Sequence, residues 1–280
     1  MYYATFRGES TVPVLPVHSE RTSNAMKAVI LAGGRGTRIG EDTATRPKPL
    51  IEIGGRPILW HIMKVYSHYG INDFVICLGY KGHMIKEWLA NYRLLNSDVT
   101  IDLKSQTITE HQSNAEPWRV TLVDTGENTE TGGRLKRVLP YVSNERFCLT
   151  YGDGVGDVDI AALLEFHART KCRVTVTAVV PPVRFGLLSL KDDHVERFRE
   201  KPVVEGEWAN GGFMVVEPDV GELIAGDHVA WEKEPLEHLA RARQLAAYRH
   251  RGFWHPMDTL RDKLLLEDLW NSGSPPWRVW

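Results

Sequence analysis

Gly33, Gly34 and Gly36 remove side chains at three of four consecutive positions, and Arg35, Arg38, Arg46 and Lys48 stand among and after them. Lys48 is held between Pro47 and Pro49. Glycines let backbone N–H groups approach a ligand closely, and the cations neutralise charge, so the pattern suits a polyphosphate. A tight turn between strand and helix, its basic residues merely solvated, is the alternative for GG-x-G alone. Two familiar phosphate loops are excluded. The dinucleotide fingerprint would need a glycine at Ile39, and the Gly-Lys-Ser/Thr of the P-loop occurs nowhere.

Acidic partners for such a loop are Asp153, in Tyr151-Gly152-Asp153-Gly154, and Asp258, in Pro256-Met257-Asp258-Thr259. Mg²⁺ is usually held by one or two carboxylates, with phosphate and water completing its shell. Asp153 could instead serve a turn or cap a helix, and Asp258 could be the N-cap of the helix that follows. Separation along the chain says nothing about their distance. Lys201, in Glu200-Lys201-Pro202, and Asn210, before Gly211-Gly212, lie beside glycine or proline at strand ends. The 11 histidines are scattered without zinc spacing on a helix.

The elements that must position these residues read as an alternating series. Ala28 to Ala32 is a buried strand, 57–69 a helix opened by Pro57 and closed by Gly70, Asp73 to Gly79 a second strand, and Met84 to Tyr92 a second helix. This order predicts a parallel sheet with right-handed crossovers. From Val99 to Val123 the period changes to two, which predicts an antiparallel excursion with a hairpin through Gln106 to Glu110. A helix over 132–142 follows, then a strand over 146–150 that ends at Asp153, and a helix near 160–168 capped by Asp157 or Asp159. Later come a strand over 173–180, a hairpin about Lys191 to Asp193, a strand over 213–216, a helix over 236–243, a strand over 244–250 and a helix from about Leu260 to Trp270.

At 280 residues, 42% hydrophobic and 25% charged, the chain suits one large packed α/β domain or two small ones. A net charge of −2 argues against a general nucleic-acid binder. No apolar run reaches the ~18 residues of a membrane span. Cys77, Cys148 and Cys172 are far apart in strand-like runs and read as buried thiols of a reducing, cytoplasmic compartment. Met1 to Ala25 reads as a disordered extension or an over-long start before Met26, or else as an arm that packs on a partner subunit; no domain boundary is evident within 26–280.

The chain resembles the sugar-1-phosphate nucleotidyltransferases. KAVILAGG-x-GTR and Pro-Lys-Pro-Leu mark the superfamily. IGGRPILWHIMK-x-Y, GYKGHMIKEWLANY, PWRVTLVDTGENTETGGRLKRV, YGDGV-x-DVDI, EKP, NGGF and GFWHPMDTLRDK-x-x-LE-x-LW mark its cytidylyl branch. Residues 26 to 280 carry the likeness. It implies a Rossmann-like three-layer α/β/α fold with a mainly parallel mixed sheet, and transfer of a cytidylyl group from CTP to α-D-glucose 1-phosphate with release of pyrophosphate. Leu31, Ala32, Gly33, Gly34, Gly36 and Thr37 would hold the nucleotide, with Thr125, Gly126 and Arg134. Arg38 and Lys48 would neutralise its phosphates. Asp153 and Asp258 match the carboxylates that bind Mg²⁺, and Gly152, Lys201 and Asn210 match the sugar-phosphate side. Asp124 is a candidate reader of the cytosine amine. A homo-oligomer is implied. Arg35 and Arg56 depart from the residues common in relatives. Rival readings keep the chemistry with another nucleotide or hexose 1-phosphate, or make the chain a non-catalytic nucleotide sensor.

Overall fold

The structure is a computed structural model that describes residues 26–36, 39, 43, 45–181, 187–191, 194–199 and 208–280, with the backbone alone for 187–190 and 197–199. The expectations for 1–25, Thr37, Arg38 and Lys201 fall outside it. The chain opens with β1 (Lys27–Leu31), a 3-10 turn at Lys48–Leu50, the short strands β2 (Glu52–Ile53) and β3 (Arg56–Pro57), and α1 (Ile58–His68). Next come β4 (Asp73–Leu78), α2 (Gly82–Ala90), α3 (Tyr92–Leu95), β5 (Ser97–Asp102), β6 (Thr107–Ser113) and β7 (Arg119–Asp124). α4 (Thr131–Val138) leads through a 3-10 turn to β8 (Phe147–Tyr151), β9 (Gly154–Gly156), α5 (Ile160–Thr170) and β10 (Val174–Val179). The remainder is β11 (Leu187–Lys191), β12 (His194–Arg199), β13 (Ala209–Asn210), β14 (Met214–Val216), α6 (Glu234–Arg241), β15 (Leu245–His250), β16 (Trp254–Pro256) and α7 (Leu260–Asn271).

The main sheet runs β7-β4-β1-β8-β14-β10-β15, with β13 continuing β14 along β10. β7, β4, β1 and β8 are parallel, as are β10 and β15, while β14 runs against both β8 and β10 and β13 runs against β10. The apolar run Ala28 to Leu31 is buried on both faces, as a central parallel strand must be. Ala28 and Ile30 face α1, α5 and α7 through Ile58, Tyr66, Leu163 and Leu266. Val29 and Leu31 face α4 and α6 through Leu135, Val138 and Leu236. The three-layer mixed α/β architecture expected from the sequence is therefore present.

Two sequence expectations need correction. The antiparallel excursion is only the β5–β6 hairpin, whose turn lies at 103–106. The alternating residues Val120 and Leu122 belong to β7, the parallel edge strand of the main sheet. An edge strand is half-buried and so shows the same period of two as a hairpin strand. Cys77 and Cys148 are buried, but Cys172 is half-buried in the turn between α5 and β10 rather than in a strand.

Candidate active site

β1 and β8 lie side by side, and the chain leaves β1 toward β4 on one side while β8 continues the sheet on the other. The crevice beyond their carboxyl ends is the switch point where open α/β sheets bind ligands. A cavity of about 350 Å³ lies there, lined by Leu31 to Gly36, Lys48 and Pro49, Thr129 to Thr131, Arg134, and Tyr151 to Asp153. The glycine loop is pinned from below: Ala32 N–H donates to Cys77 O, Tyr80 N–H to Gly33 O, and Gly152 N–H to Leu31 O. A Cβ on Gly33 or on Gly79 would run into the Arg134 guanidinium. Gly36 has φ +62°, a conformation that favours glycine, and packs closely against the Lys48 side chain.

Lys48 opens the 3-10 turn after Pro47 and is buried, at 9% side-chain exposure. Its ammonium lies 2.7 Å from Asp153 Oδ2 and 2.8 Å from Asp258 Oδ1. β9 and β16 bring those carboxylates together. They pair antiparallel with His255 opposite Val155, and Met257 N–H donates to Asp153 O. The rival role for Asp258 falls away, because the N-cap of α7 is Thr259, which forms a capping box with Asp262. Asp262 also accepts from Asp258 N–H and contacts His255 Nε2. Burial pushes the Asp262 carboxyl up, yet these hydrogen bonds outweigh burial and hold it below the usual carboxylate range. Asp159, not Asp157, caps α5; Asp157 instead pairs with His250.

Lys48, Asp153 and Asp258 thus converge, with one ammonium between two carboxylates. That centre keeps an excess negative charge and offers hard oxygen donors, which fit a divalent cation such as Mg²⁺. Among the described residues no group of three His, Cys, Asp or Glu side chains could hold a metal. A cation at this pair would draw the rest of its shell from phosphate and water.

Other site residues are placed differently from one another. Leu31, Ala32, Gly33, Gly34, Gly36 and Gly152 line the cavity. Arg134 also borders it, but its guanidinium is spent on Leu78 O, Gly126 O, Glu127 O and Thr125 Oγ1. It buttresses two loops, and Thr125 and Gly126 stand behind it. Asp124 Oδ1 accepts from Gly126 N–H and shapes its own turn. Arg35 crosses the cavity mouth to Glu127 and Asn128. Asn210 is exposed on the opposite flank, where its Nδ2 donates to the Tyr151 hydroxyl. Tyr151 and Glu232 were not apparent as site residues from the sequence; an aromatic at the end of a strand directly before Gly-Asp was the only hint.

The family model described as nucleotidyl transferase matches residues 27–254. The chain is 55% identical over 256 residues to a glucose-1-phosphate cytidylyltransferase of Salmonella typhimurium, covering 91% of this chain and 100% of the relative. It is 28% identical to a mannose-1-phosphate guanyltransferase of Yarrowia lipolytica, over 85% of this chain and 62% of that protein. In fold it matches the crystal structure of HddC from Yersinia pseudotuberculosis complexed with GMP-PN, with TM-score 0.64 at 21% identity, over 88% of this chain and 99% of that one. With the glycine loop at the switch point and this extent of likeness, the chain belongs to the nucleotidyl transferase family, alongside its glucose-1-phosphate cytidylyltransferases.

Proposed function

We propose that the protein transfers the cytidylyl group of CTP to α-D-glucose 1-phosphate, giving CDP-glucose and pyrophosphate. The observation that supports this most directly is the Lys48–Asp153–Asp258 centre beside the glycine loop, in a chain 55% identical to a glucose-1-phosphate cytidylyltransferase. A sugar phosphate oxygen forms the new bond to the α-phosphorus as the bond to the β-phosphate oxygen breaks. The nucleophile is already anionic, so no strong general base is needed. The protein's task is to align two anions that repel each other and to spread developing charge.

Backbone N–H groups of the Ala32–Gly36 loop bind the nucleotide phosphates, and Lys48 and Arg38 neutralise them. Asn210 receives the sugar phosphate from the opposite side, and Lys201 neutralises its charge. Mg²⁺ held by Asp153 and Asp258 would supply charge neutralisation and orientation of the phosphates. Arg134 acts on the nucleotide through the loops that it ties together. Base choice rests on contacts worth ~1–3 kcal/mol each.

Ile101, Leu103 and Ile108 are exposed on the β5–β6 hairpin, and the neighbouring Leu95 is exposed as well. This apolar surface supports homo-oligomer formation through the hairpin. No helix among the described residues is long and apolar enough to cross a membrane, and the unpaired cysteines suit the reducing cytoplasm.

Pyrophosphate release should be measured across CTP, UTP, dTTP and GTP, each with several hexose 1-phosphates. CTP with glucose 1-phosphate is expected to give the highest kcat/KM. Equal rates with all four nucleotides would overturn the assignment, and nucleotide binding without turnover by any pair would favour a sensor.

A further inference from the structure

A chain of hydrogen bonds runs from Thr131, in the lining of the cavity, through Glu232 and Tyr151 to Asn210. Thr131 is the first residue of α4 and lines the cavity. Its Oγ1 donates to Glu232 Oε2 at 2.6 Å and accepts from Trp231 N–H at 2.9 Å. Glu232 Oε1 accepts from the Tyr151 hydroxyl at 2.7 Å. The Tyr151 oxygen accepts from Asn210 Nδ2 at 3.3 Å, and Asn210 Oδ1 accepts from Gly212 N–H at 3.0 Å. Every donor and acceptor role is therefore assigned. Asn210 must present its amide in one orientation, and the Tyr151 proton must point at Glu232.

The members come from four separate places: the start of α4, the end of β8, the β13–β14 bend and the segment before α6. No local motif requires Glu232 to reach both hydroxyls. The phenol accepts from Asn210 and can only donate toward the Glu232 carboxylate, which has no proton to give. Trp231 beneath is fully buried against Met214, which anchors the backbone carrying Glu232. The carboxylate itself is exposed, so the core does not depend on it.

We propose that Glu232 is a positioning residue that couples the two substrate subsites, holding Thr131 on the nucleotide flank and Tyr151 with Asn210 on the sugar-phosphate flank in one register. Occupation of one flank orders the shared carboxylate, and the other substrate then binds to a site already arranged. This inference rests on the substrate assignment proposed above.

The test is calorimetric binding of glucose 1-phosphate with and without a non-hydrolysable CTP analogue, in the full chain and in Glu232→Ala, Glu232→Gln and Tyr151→Phe. In the unchanged protein the analogue tightens glucose 1-phosphate binding. Glu232→Ala abolishes that enhancement and weakens glucose 1-phosphate about 10-fold, the effect expected for losing a hydrogen bond to a charged group. The Gln variant, which keeps an acceptor for one hydroxyl, restores part of it. Glu232→Ala combined with Tyr151→Phe costs less than the sum of the two single effects, because both cut the Tyr151–Glu232 link. Melting temperatures stay within a few degrees. Unchanged enhancement in Glu232→Ala, or additive effects of the two substitutions, overturns the coupling while leaving the substrates in place. Failure of the unchanged protein to bind either CTP analogue or glucose 1-phosphate overturns the substrate assignment instead.

Discussion

Lys48 and Asp258 stand 210 positions apart in sequence, yet their Nζ and Oδ1 atoms are 2.8 Å apart. The same ammonium touches Asp153 at 2.7 Å. A lysine in this place holds together two carboxylates that would otherwise repel each other, on a ribbon of two three-residue strands. In the proposed reaction the ammonium must also serve the phosphates. Three consequences for substitution and binding follow from this arrangement and from the loop above it.

Lys48→Ala is expected to reduce kcat by at least ~10²-fold, as for loss of a positioned donor to transition-state charge. Steady-state pyrophosphate release measures it. Turnover close to that of the unchanged protein would mean that the phosphates lie elsewhere.

The same substitution should have the opposite effect on metal binding without nucleotide. Removing a unit positive charge about 3 Å from both carboxylates relieves a repulsion of a few kcal/mol at an effective dielectric near 20. Mn²⁺ affinity, read by electron paramagnetic resonance, is expected to rise at least ~10-fold in Lys48→Ala and to disappear in Lys48→Ala combined with Asp153→Asn. Equal Mn²⁺ affinity in the presence and absence of the lysine would remove these two carboxylates as its site.

Gly33→Ala would place a methyl group against the Arg134 guanidinium, which is itself fixed by four oxygens. The loop must lift, at a cost of roughly 1–3 kcal/mol in stability, as for overpacking elsewhere. CTP affinity should fall more than glucose 1-phosphate affinity. Gly34→Ala, where a Cβ meets nothing within 4 Å, is the matched control and should leave the fold's stability nearly unchanged.

His61 predicts an acid sensitivity. Burial lowers its pKa to about 4, against partial support from the Ile53 carbonyl. Trp277 Nε1–H donates to Nδ1, so the proton sits on Nε2, facing Ile53 O. The folded value lies below the unfolded one near 6.5, so the unfolded chain takes up the proton first. Stability from this group is complete above pH 6.5 and is lost as pH falls toward 4, with a slope of about 1.4 kcal/mol per pH unit. Urea midpoints at pH 7 and pH 5 test this, and His61→Gln should flatten the difference.

Much of the scaffold was legible in the primary structure because its signals are local. The Ala28–Leu31 run, the helix bounded by Pro57 and Gly70, and the glycines and cations of the loop each depend on neighbours within a few residues. The edge strand β7 was harder to place, since half-burial produces the same alternation in a hairpin and at a sheet edge. Asp258 illustrates the larger limit. From sequence it could equally cap α7, and only the capping box of Thr259 with Asp262 releases its carboxylate for Lys48. Arg134 reads as one more cation for a nucleotide until its acceptors prove to be backbone carbonyls and a threonine hydroxyl. Glu232 carries no sequence signal at all. By itself the sequence determined the residue types, the alternating strands and helices, and the glycine loop, because periodicity and side-chain volume act over short range. The tertiary structure alone decided which charges meet, because contact between Lys48, Asp153 and Asp258 is set by strand order and by the β9–β16 pairing rather than by distance along the chain.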